Sequence, residues 1–98
     1  MIIKDGAILS GLDIRMRAAL KIADKIYKDY DQELAITSGL DGTHSVGSLH
    51  YYGLAIDIRT RYFNDATKNA VYVALKQELQ NNYVIILEKT HIHIQWRF

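Results

Sequence analysis

The sequence predicts a small α+β domain, a mostly antiparallel sheet with two main helices packed against it. Three observations carry this. Two stretches repeat their apolar residues at helical spacing, over residues 10–31 and 64–80. Four shorter stretches alternate or run apolar at strand length, over residues 34–38, 54–59, 83–87 and 91–96. Finally, the chain has 98 residues, enough for one domain (1–98) and no second.

Each element has its own signal. In residues 10–31, Met16, Ala19, Leu20, Ala23, Ile26, Tyr27 and Tyr30 form one apolar face, and Lys21, Asp24, Lys25, Lys28 and Asp29 oppose it. Ser10 is the expected cap, with Asp13 completing a capping box. In residues 64–80, Ala66, Ala70, Val71, Ala74, Leu75 and Leu79 form the stripe, Asn64 or Asp65 caps the start, and Asn81 and Asn82 end it. Residues 2–9 suggest an edge strand or hairpin. Residues 39–52 read as a long glycine-containing loop carrying His44 and His50.

Composition narrows the function classes. Apolar residues are 49% and charged residues 23%, ordinary for a folded chain, and net charge is +1, so no nucleic-acid footprint is expected. There is no cysteine, which excludes disulfides, thiolate metal sites and a cysteine nucleophile. No run reaches the length of a membrane span, and the first residues do not resemble a signal peptide. The serine-hydrolase elbow, the phosphate-binding loop, the dinucleotide fingerprint and the H-E-x-x-H zinc motif are all missing.

The four histidines fall in two places. His44 and His50 lie in the loop, and His91 and His93 share one face of the last strand. Asp57 lies between Ile56 and Ile58 and points away from both, to solvent or to a polar site. If Lys89 and Thr90 form a two-residue turn, Glu88 stands opposite His91 on the same face. Imidazoles and a carboxylate so placed are the ligand types of a thiol-free zinc site.

Ser48-Leu-His50-Tyr-Tyr-Gly53-Leu-Ala55-Ile-Asp57, followed by Glu88-Lys-Thr-His91-Ile-His93-Ile-Gln-Trp96, resembles the two motifs of the M15 peptidases, which include zinc D-Ala-D-Ala carboxypeptidases and phage L-alanyl-D-glutamate endolysins. The resemblance implies the M15 fold. It implies Zn2+ held by His50, Asp57 and either His91 or His93, with His93 favoured and His91 beside it at the catalytic site. It implies Glu88 as general base towards zinc-bound water, and His44 and Arg59 as substrate-binding residues, with Arg61 an alternative to Arg59. Tyr51, Tyr52 and Trp96 are candidates to line the groove. The implied function is hydrolysis of peptidoglycan stem peptides by a monomeric, phage- or prophage-encoded cell-wall metallopeptidase, cytoplasmic as synthesised and acting after release. Two departures stand out: Thr90 occupies the place of a usual acid, and Leu40 that of a usual arginine. A zinc-binding module without catalysis and a metal-free interaction domain are the alternatives.

Overall fold

The computed structural model describes residues 1–40 and 49–97, and of His50 and Tyr51 the backbone only. Five strands and two helices follow in the order β1 (Ile2–Ile3), α1 (Ile14–Asp29), β2 (Ala35–Ser38), β3 (Ala55–Arg59), α2 (Asp65–Leu79), β4 (Tyr83–Leu87) and β5 (His91–Trp96). The strands form one sheet in the order β1-β2-β3-β5-β4. Only β1 with β2 is parallel; β2 with β3, β3 with β5, and β5 with β4 are antiparallel. The expected α+β class, with a mostly antiparallel sheet and two main helices, is the architecture found.

The strands sort their side chains by alternation. Ile36, Ile56, Ile58, Ile85, Ile92 and Ile94 face the helices and are buried. Met16, Ala19, Leu20, Ala23, Ile26 and Tyr27 of α1 and Val71, Leu75 and Leu79 of α2 close that core. The opposite face carries Asp57, Arg59, His91, His93 and Gln95.

The helix boundaries differ from the sequence reading at one end. α1 begins at Ile14, not near residue 10, and its cap is Asp13, whose carboxylate accepts from the Arg15 N–H at 2.9 Å. Ser10 lies in the preceding turn, where Gly11 takes φ +82°, a left-handed conformation that stops a helix from starting earlier. Asp13 is therefore the cap itself and not the acidic partner of a Ser10 capping box. The second helix agrees with its signal: Asn64 caps α2, its side chain accepting from the Thr67 N–H at 2.8 Å.

Two contacts fix the strand that carries the site. Gly53, at φ +69°, lets the chain turn into β3 while its carbonyl accepts from the Asp13 N–H at 2.9 Å. A side chain there would put its Cβ 2.6 Å from the Gly11 carbonyl oxygen. At the other end of β3, the buried Tyr27 hydroxyl donates to the Arg59 carbonyl at 2.7 Å. Burial raises the Tyr27 pKa well above the phenol range, so this donor stays protonated.

Candidate functional site on the open face of the sheet

β3 and β5 pair Arg59 with His91, Asp57 with His93 and Ala55 with Gln95. The Thr60 N–H bonds the Thr90 carbonyl, and the Trp96 N–H bonds the Leu54 carbonyl. Hydrogen-bonded pairs therefore fall on even residues of β3, and the Asp57–His93 and Arg59–His91 pairs are the close, non-hydrogen-bonded kind. This brings their side chains together without any loop taking part.

His93 is the hub. Its Nδ1 lies 2.9 Å from Asp57 Oδ1 and its Nε2 lies 2.8 Å from Gln95 Oε1. Both ring nitrogens thus lie within hydrogen-bond distance of oxygen acceptors, an arrangement that favours the doubly protonated, charged ring. Burial works against that charge. The hydrogen bonds to Asp57 and Gln95, with the charges of Asp57 and Glu88, outweigh it and raise the pKa above its ordinary 6.5. His91 Nε2 is 3.9 Å from the same Asp57 oxygen, and its Nδ1 is 3.3 Å from the Thr90 hydroxyl.

A bulge between Ile36 and Ser38 adds a residue to β2 opposite this strip. Thr37 occupies it, and its hydroxyl donates to the Asp57 carbonyl at 3.3 Å. On the far side, the Glu88 N–H bonds the His91 carbonyl at 2.9 Å across the two-residue turn. The expected hairpin register is therefore present, and Glu88 stands on the site face with its side chain exposed. Trp96 is not a groove residue. It points to the helix side, edge-on to Tyr83 with ring centroids 5.3 Å apart and with the Arg15 guanidinium 4.9 Å above it. Tyr52 is exposed. His44 lies in the segment 41–48, outside the described residues, as do the side chains of His50 and Tyr51.

The expected zinc centre is corrected here. Among the described residues, no group of three or more His, Cys, Asp or Glu side chains could hold a metal ion. Asp57, His91 and His93 do converge, but both ring nitrogens of His93 are engaged within the strip, one by Asp57 and one by Gln95. The Zn2+ cofactor and the zinc metallopeptidase function fall with this finding. So do hydrolysis with Glu88 as base to zinc-bound water, the endolysin or carboxypeptidase assignment, and the zinc-binding-module alternative. The residues singled out on β3 and β5 are brought together, but as a hydrogen-bonded polar strip.

Gln95 was legible as a polar-face residue, yet its role as the second acceptor for His93 was not. Thr37 carried no sequence signal, because its place depends on the bulge. Among the described residues, no helix is long and apolar enough to cross a membrane. No protein-family model matches the chain, and no match is found among curated proteins.

Proposed function

We propose that this chain is a metal-independent peptide-binding domain of M15 type, and that its open sheet face takes peptidoglycan stem peptides. The single observation that carries the reading is the strip Asp57–His93–Gln95, with His91 and Arg59 beside it, on a sheet face that the two helices leave uncovered. Such a strip presents amide, carboxylate and cationic groups within a few ångströms. A stem peptide, which carries carboxylates and a run of amides, matches those groups: its carboxylate meets Arg59 and His91, and its amides meet Gln95 and Asp57. The two sequence motifs support the lineage, since their residues on β3 and β5 are the ones that build the strip.

The test is a titration of chelator-treated protein with a stem-type peptide ending in D-Ala-D-Ala, followed by NMR of the histidine side chains. Saturable shifts at His91 and His93, weakened in Arg59→Ala, are expected. The absence of any shift at millimolar peptide would overturn the peptide reading. Binding that appears only after zinc is added would overturn its metal independence.

A further inference from the structure

Beyond the peptide strip, past Arg59, the sheet corner holds a second concavity. It measures about 230 Å³ and is lined by Lys4, Thr37, Arg59, Arg61, Thr90 and His91. These residues come from separate places: the end of β1, the β2 bulge, the end of β3 and the turn after it, and the start of β5. Three of them are obligate cations and none is a carboxylate.

We propose that this corner is a binding site for a tetrahedral oxyanion, a phosphate group. The charge arrangement is the first argument. Three cations line one concavity, whereas the ion pairs elsewhere join single cations to acids, Arg15 to Asp13 at 2.8 Å and Lys28 to Asp24 at 3.2 Å. Among the described residues, Lys4, Arg59 and Arg61 have no such partner within salt-bridge distance. Like charges brought together without a counter-charge repel, and an anion between them removes that repulsion. No carboxylate among the described residues lines the pocket, and Asp57 on the adjoining strip is bonded to His93.

Donor geometry is the second argument, and it selects the shape of the anion. Two guanidinium groups, an ammonium, the Thr90 hydroxyl and an imidazole belong to residues that line the pocket from separate parts of the sheet, while the Thr37 hydroxyl is engaged by the Asp57 carbonyl. A planar carboxylate has two oxygens, which one arginine fork satisfies. A phosphate has oxygens on every side and uses donors arriving from several directions. Part of the frame is held from within the protein: Tyr27 pins the Arg59 carbonyl, and the Lys68 ammonium donates to the Lys89 carbonyl at 2.8 Å in the turn that presents Thr90. Arg59 and His91 border both sites, whereas Lys4, Arg61 and Thr90 belong to this one alone and separate it from the peptide reading.

Free phosphate and a phosphate ester share this chemistry, so both are used as probes. Inorganic phosphate and glycerol 1-phosphate are titrated separately by NMR into the full chain, with chloride and acetate controls at matched ionic strength. Saturable shifts centred on Lys4, Arg61 and Thr90, absent with chloride and acetate, are expected with at least one probe. A stronger response to the ester identifies an esterified ligand, and a stronger response to inorganic phosphate identifies the free ion. Arg61→Ala and Lys4→Ala are each expected to weaken binding about ten-fold, the loss of a charge-assisted hydrogen bond. Both side chains are exposed, so the variants should melt with the parent. The proposal is overturned if neither phosphate probe exceeds the controls, or if both variants bind as the parent does.

Discussion

His93 sits between two acceptors, and that placement sets its chemistry. Its folded pKa is raised above 6.5, because the hydrogen bonds to Asp57 and Gln95 and the nearby carboxylate charges outweigh burial. The sign of the linkage follows. A raised folded pKa contributes stability that is complete below the unfolded value of about 6.5 and is lost as pH rises through the folded value. NMR titration of His93 should give a midpoint above 6.5, and Asp57→Asn should lower it. Thermal unfolding of the parent should then lose stability with rising pH across that window, and the variant should lose less. A midpoint unchanged by Asp57→Asn would remove the ion-pair account. Thr60 presents the opposite case. It is fully buried, and its hydroxyl has no hydrogen-bond partner among the described residues. Replacing it with the isosteric valine removes an unpaired polar group from the interior. Thr60→Val should therefore be neutral or stabilising, by up to about 1 kcal/mol in denaturant unfolding, whereas a hidden partner would make it destabilising.

At the scale of elements, the strands and helices that frame the site are held at their ends. Asn64 satisfies a free N–H at the start of α2, so Asn64→Ala should cost about 1 kcal/mol in equilibrium unfolding. Gly53 has a different role. Its left-handed conformation and its close approach to the Gly11 carbonyl join the entry of β3 to the start of α1. Gly53→Ala meets both strain and a backbone clash, and should lower the melting temperature more than Asn64→Ala does. A smaller loss would mean that the β3 entry relaxes freely. The sequence reading of these elements had uneven depth. The start of α2 and the strands β4 and β5 were legible, because capping residues and two-residue alternation are local signals. The start of α1 was not: Ser10 and Asp13 are both good caps by type, and the choice between them rests on the turn at Gly11 and on the Gly53 contact, which comes from 40 residues along the chain in three dimensions.

For the whole molecule, the sheet has one face packed against the two helices and one polar face turned away from them. Ile58 and Ile86 make the contrast measurable. Ile58 is fully buried against the helices, while Ile86 is 42% exposed on the edge strand beside His93. Ile58→Ala should cost about 3 kcal/mol, the usual range for truncating a core aliphatic, and Ile86→Ala should cost less than about 1 kcal/mol. Equal losses would mean that the open face is packed in solution.

The amino-acid sequence by itself determined the class of fold, the two amphipathic helices and the shared face of His91 and His93, and it offered the register that puts Glu88 opposite His91 on the condition of a two-residue turn. These follow from periodicity and short turns, which act between near neighbours. Only the tertiary structure decided what the polar face is. Hydrogen-bond partners are chosen by cross-strand pairing and by side-chain rotamers, not by residue type. A histidine flanked by Asp57 and Gln95 oxygens is engaged at both ring nitrogens, whereas the same histidine in a motif reads as a metal ligand. The corner pocket is likewise a tertiary product, since Lys4, Thr37, Arg61 and Thr90 lie far apart in the chain and meet only where the β2 bulge and the β4–β5 turn bring three strands to one edge.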